Sequence, residues 1–155
     1  MIPLHNLHPI FVHFTVALFT TSAIFFTLAY FTNEDKRNKE FLTVAHWSMW
    51  TCAFFTIGTV IAGLYAFYTV AHDTESHIAI LTHRNLGIPT FILILLLAFW
   101  SWVQYRKNQQ PTHTLLIFLF IGLFLLVLTG WHGSKLVYHY GVGVKALPVL
   151  DPHQH

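Results

Sequence analysis

Histidine is the chemically capable side chain that this 155-residue sequence uses most, with 12 copies against a single cysteine. They crowd into two stretches. "LHNLHPIFVH" (4–13) carries His5, His8 and His13, and "VAHDTESHIAILTHR" (70–84) carries His72, His77 and His83 beside Asp73 and Glu75. Neutral imidazole is the common ligand for haem iron, copper and zinc. There is no C-x-x-C-H, so covalent c-type haem attachment is excluded, and Cys52 alone can form no internal disulfide. It reads as a small buried apolar residue. The P-loop, Gly-rich dinucleotide and H-E-x-x-H patterns are absent. Apart from Asp73 and Glu75 no acid lies near the histidines, and no serine or cysteine nucleophile is paired with one. The sequence therefore points to an electron carrier or subunit rather than a stand-alone enzyme.

The elements that must position these imidazoles are apolar. The chain is 55% hydrophobic and 9% charged, and it contains four blocks near the ~20 residues needed to span a bilayer as helix. They fall at about 9–31, 41–71, 85–104 and 112–131, within a single membrane domain over 1–155 whose tail, about 146–155, is expected to be disordered. The first block is too long for a signal-peptide core and is preceded by no Lys or Arg, so it is kept as a span. A net charge of +2 gives no reason to invoke nucleic acid. Short connections between spans predict an all-α, antiparallel four-helix bundle with helix 1 diagonal to helix 3 and helix 2 diagonal to helix 4. No internal repeat is evident. Lys36, Arg37, Lys39, Arg106 and Lys107 fall on one side; Arg84, Lys135 and Lys145 fall on the other. The positive-inside rule then puts both termini outside, periplasmic in a bacterial inner membrane.

That orientation gathers most of the histidines at the outer end. A b-type haem needs one imidazole from each of two facing helices, and His13 with His83 meets that need across the helix 1–helix 3 diagonal. His72 and His132 are the equivalent pair on the other diagonal. His46 and His113 form an inner pair that would hold a second haem. Pro89 places the start of regular helix near Leu86–Ile88, with His83 at its entrance. Tyr65, Tyr68 and His72 share one face of helix 2, and Gly87 leaves room beside His83 for a flat ligand. Arg84 is suited to a haem propionate and Asn85 to a hydrogen bond nearby.

Three stretches, "LHPIFVHFTVAL", "AHDTESHIAILTHRNLGI" and "GWHGSKLVYHYGVGV", make the chain resemble a bacterial family of predicted four-helix membrane proteins of unknown function. The H-P-x3-H-F, H-R-N and G-W-x-G-x-x-L-V-Y elements carry the likeness, which extends over most of the chain. The resemblance implies an integral membrane protein linked with cytochromes and iron–sulfur proteins. Its motif histidines are His8, His13, His72, His77 and His83, beside Arg84 and Asn85. This chain has Thr15 where the family has proline and Ser134 where it has glycine. It also has Tyr140 where the family has histidine, and His132 is particular to it.

The leading expectation is a membrane-embedded b-type cytochrome or electron-transfer subunit. It would hold one haem b near the outer face, or two, and its partner would be a cytochrome c or a respiratory-type complex. A second reading takes His8, His13, His72, His77 and His83, with Asp73, as a copper or zinc site needing three or four ligands. A third is a cofactor-free structural or assembly subunit whose histidines bond between helices.

Overall fold

Runs of Leu, Ile, Phe and Ala with few charges become helices in a bilayer, because hydrocarbon offers no partner for an open backbone N–H or C=O. The computed structural model describes residues 7–70 and 72–143. It contains α1 (Leu7–Phe31), α2 (Asp35–Thr69), α3 (Thr74–Arg106) and α4 (His113–Tyr138). All four are long and apolar enough to cross a membrane. Among the described residues there is no strand. The protein is an all-α integral membrane four-helix bundle.

Each helix end has a local cause. Asn38, buried in the first turn of α2, sends its amide to the Ala29 carbonyl at 2.7 Å and folds α2 back on α1. At the start of α3, Asp73 and Ser76 form a capping box: the Asp73 carboxylate accepts from Ser76 N–H at 2.8 Å, and Ser76 Oγ accepts from Asp73 N–H at 3.1 Å. This box starts α3 at Thr74, well before the expected Leu86–Ile88. His83 therefore lies more than two turns inside the helix, at ~3.6 residues per turn, instead of at its entrance. Pro89 is carried within the helix. Asn108, with φ 49°, closes α3 in the left-handed conformation that asparagine tolerates. Gln109 N–H reaches back to the Gln104 carbonyl there at 3.0 Å.

The helices pack in a ring. α1 lies on α2, α2 on α3, α3 on α4, and α4 closes on α1 along a shorter stretch; across the two diagonals the backbones do not approach closely. The interior divides along its length, between the end that holds the start of α1 and the α2–α3 connection, termed the outer end, and the opposite, inner end. Its inner and middle parts are filled by Phe19, Phe26, Met49, Ile94, Leu97, Leu115 and Leu119, all essentially inaccessible. Nearer the outer end the inward positions become small or polar, with Thr15, Thr56 and Thr90 buried and Thr59, Thr129, His8 and His83 partly so.

Gly122 tests the close-packed half. A Cβ built there stands 2.6 Å from Cζ of Phe19, whose exposure is 0%. Gly122→Ala is expected to destabilise the detergent-solubilised protein by about 1–3 kcal/mol through overpacking. Gly130, with nothing within 4 Å of the same position, should instead gain up to about 1 kcal/mol of helix propensity on the same change. Thermal unfolding of the two variants checks the opposite signs.

Asp73 gives a pH-dependent test. The Ser76 hydroxyl and then the Ser76 N–H, bonded to its carboxylate, hold its pKa below the ordinary value. A depressed folded pKa adds stability that is present above the unfolded value of about 3.9 and lost as pH falls through the folded one. Asp73→Ala should lower the melting temperature at neutral pH, with the gap narrowing below about pH 4. A gap that stays unchanged well below that pH would contradict the cap.

Candidate functional site

At the outer end of the bundle, two imidazoles meet across the α1–α3 diagonal. They are His8 and His83, with ring centroids 6.3 Å apart and planes at 89°. Each is held by the neighbouring helix of its own hairpin. His8 Nδ1–H donates to the Thr59 carbonyl of α2 at 2.9 Å, and His83 Nδ1–H donates to the Thr129 carbonyl of α4 at 3.0 Å. A carbonyl can only accept, so Nδ1 carries the proton in both rings and the neutral rings keep Nε2 as a bare lone pair. Neither Nε2 has a hydrogen-bond partner among the described residues.

Glycines make this arrangement possible. A Cβ at Gly63 would lie 2.9 Å from His8 Cε1, and one at Gly133 would lie 3.0 Å from His83 Cε1. In a helix the carbonyl of residue i is bonded by the N–H of i+4, and Gly63 and Gly133 stand four residues after Thr59 and Thr129. The bare glycine thus opens a side approach to the carbonyl one turn below it. Deeper in the bundle, Thr15 and Thr59 hydroxyls meet at 3.1 Å, and so do those of Thr90 and Thr129. Such bonds lock helix register where water is absent.

The other sequence-predicted site residues go elsewhere. His13, expected to face His83, is exposed, and its Nδ1–H turns back to the Pro9 carbonyl of its own helix at 2.6 Å. Five residues separate it from His8, which turns it away from the His8 face of α1. His72, expected opposite His132, bonds His77 instead. Its Nδ1–H donates to the Val70 carbonyl at 2.8 Å, and its Nε2 lies 2.9 Å from His77 Nδ1. Phe67 flanks both rings at 6.3 and 5.9 Å, and the Arg84 guanidinium lies over Phe67 at 5.8 Å. Arg84 also reaches the Asn85 amide oxygen at 3.4 Å. His132 is half-buried on α4 beside Gly133, Tyr68 is 80% exposed, and Gly87 faces Thr129 at ordinary contact distance.

The inner histidines do not meet. His46 is buried, shares a 2.7 Å hydrogen bond with the Ser101 hydroxyl of α3, and is enclosed by Phe26, Trp50 and Tyr105. His113 is exposed at the start of α4 and pairs with the Tyr30 hydroxyl. Among the described residues no group of three or more His, Cys, Asp or Glu side chains is assembled to hold a bare metal ion.

Fold and site together define a class: an integral membrane four-helix bundle with a paired-histidine site at one end. The chain belongs to the family of predicted membrane proteins DUF2231, which matches residues 4–146. No curated protein and no solved structure matches it significantly.

The cradle glycines carry a sharp expectation. Gly→Ala within a helix ordinarily gains up to about 1 kcal/mol of propensity. At Gly63 and Gly133 the new methyl group must push an imidazole off its carbonyl, leaving polar groups unbonded at about 1–3 kcal/mol. Both substitutions should therefore lower the melting temperature in detergent. A gain like that expected at Gly130 would show that the rings are not held there.

Proposed function

We propose that the protein is a membrane-embedded b-type cytochrome, an electron-transfer subunit holding one haem between His8 and His83. A metal–nitrogen distance of about 2.0–2.1 Å on each side, with each ring centroid roughly one ångström farther back, separates two ligating rings by about 6.3 Å. The His8–His83 separation of 6.3 Å is the observation that carries this reading. Nδ1–H bonds to backbone carbonyls are also the outer-shell contacts that orient metal-bound histidines and raise their basicity. A macrocycle supplies the remaining ligands itself, so two imidazoles suffice where a bare copper or zinc ion would ask for three or four.

The chain's own contribution follows from these residues. The two hairpins hold the imidazoles from opposite sides, and Thr59 and Thr129 fix their tautomers. Arg84, which has no carboxylate partner among the described residues, sits next to His83 at the outer rim, where a propionate would require a cation. With His8 and His83 as its two protein ligands, a haem held here would supply one-electron transfer rather than substrate chemistry. The positive charge on the α1–α2 and α3–α4 connections supports an orientation with both termini periplasmic in a bacterial inner membrane. A cytochrome c or a respiratory-type complex on that side is the partner this placement suits.

Protein purified from cells supplied with a haem precursor should show a Soret band and a b-type pyridine haemochrome. His8→Ala and His83→Ala should each reduce haem occupancy at least tenfold, whereas His13→Ala, His46→Ala and His113→Ala should retain it. A colourless wild-type protein would leave a cofactor-free bundle. Loss of haem in His13→Ala with retention in His8→Ala would overturn the ligand assignment.

A further inference from the structure

The two hairpins carry the same side chains in the same places. A threonine follows the histidine by seven residues in both α1 (His8, Thr15) and α3 (His83, Thr90). A glycine follows the threonine by four residues in both α2 (Thr59, Gly63) and α4 (Thr129, Gly133). The contacts repeat with the spacing. The histidine-to-carbonyl bonds are 2.9 and 3.0 Å, the threonine–threonine pairs are both 3.1 Å, and the glycine-to-imidazole approaches are 2.9 and 3.0 Å. The same contacts recur in two unlike helical pairs and describe one unit used twice, with one difference: Nδ1 would stand 2.9 Å from a Cβ at Gly63 and 3.4 Å from one at Gly133.

From this we infer that the site is a duplicated half-site, and that the Thr15–Thr59 and Thr90–Thr129 hydroxyl pairs are its positioning residues, each setting the imidazole of its own hairpin. The inference rests on the haem reading for its spectroscopic consequence, but not for its geometry. Thr59 and Thr129 each make both contacts: the side chain locks to the facing helix, and the carbonyl of the same residue receives the imidazole. Sliding or rotating one helix on the other breaks both at once. Thr15 and Thr90 stand about two turns along their own helices from His8 and His83, at ~3.6 residues per turn, so their hydroxyls hold register without bonding the rings.

The halves differ in what backs the pair. In the first, the Thr56 hydroxyl lies 3.5 Å from Thr15 Oγ1, and Cys52 Sγ donates to the Thr15 carbonyl at 3.5 Å. In the second, the Leu86 and Leu125 carbonyls lie 2.8 Å from the Thr90 and Thr129 hydroxyls, and with one proton each, one hydroxyl donates across the pair while the other donates to its own helix. Removing the hydroxyl at Thr90 therefore frees its imidazole more than removing it at Thr15.

Two measurements on the full-length protein test this. In detergent micelles without haem, nitrogen-15 spectra of the histidine rings should show His8 and His83 as Nδ1–H tautomers with slowly exchanging ring protons. Thr90→Val should speed exchange at His83 alone, Thr15→Val should do so more weakly at His8 alone, and Thr90→Ser should restore the wild-type rate. In the haem-loaded protein, perpendicular imidazoles give a highly anisotropic low-spin ferric resonance. Thr90→Val should broaden and shift it with haem content unchanged. Nε2–H tautomers in the wild type, or Thr90→Val and Thr15→Val spectra identical to wild type in both experiments, would overturn the half-site. A colourless wild type that still passes the ring-nitrogen test would overturn the haem reading alone.

Discussion

An imidazole inside a membrane protein stays there only if its N–H finds an acceptor, because an open donor in hydrocarbon costs several kcal/mol. In the outer half of this bundle the acceptor is a helix carbonyl, reached by His8 at Thr59 and by His83 at Thr129. Helix carbonyls are already bonded within their helix and covered by the side chain one turn on. Glycine at positions 63 and 133 removes that cover. The small residues, the threonine register locks and the orientation of both rings follow from this requirement.

The bundle then has two unlike halves. Phe19, Phe26, Met49, Ile94, Leu97, Leu115 and Leu119 make a dense core that holds four long helices together, without the hydrophobic driving force that water provides to soluble proteins. Freed of that task, the outer half carries threonine, glycine and histidine. His46 marks the inner end differently. Enclosed by Phe26, Trp50 and Tyr105 and bonded to Ser101, it serves interhelical packing, as polar residues between membrane helices commonly do.

Composition made the class legible. Four apolar blocks in a chain with few charges leave a helical bundle as the simplest membrane solution, and short connections require it to run up and down. Histidine density pointed to the end and the diagonal on which His8 and His83 face each other. Which α1 histidine faces His83 was harder to read, since periodicity alone does not say which face of α1 looks inward. His13 sits deeper in the first block than His8, but five residues turn it to an exposed face, where it bonds to Pro9. Pro89 was read as placing the helix start near Leu86–Ile88, whereas the Asp73–Ser76 box begins α3 at Thr74, between three and four turns earlier at ~3.6 residues per turn. The repeat escaped notice because it consists of four residues per helix pair, visible only once Thr15 is seen against Thr59 and Thr90 against Thr129.

A density map of the protein purified with haem present tests the central claim most directly. It should show one iron at the outer end, bonded on one side to Nε2 of His8 and on the other to Nε2 of His83, with both Nδ1 atoms still on the Thr59 and Thr129 carbonyls. Iron bound through His13, iron beside His46, or no iron between the two hairpins would contradict it.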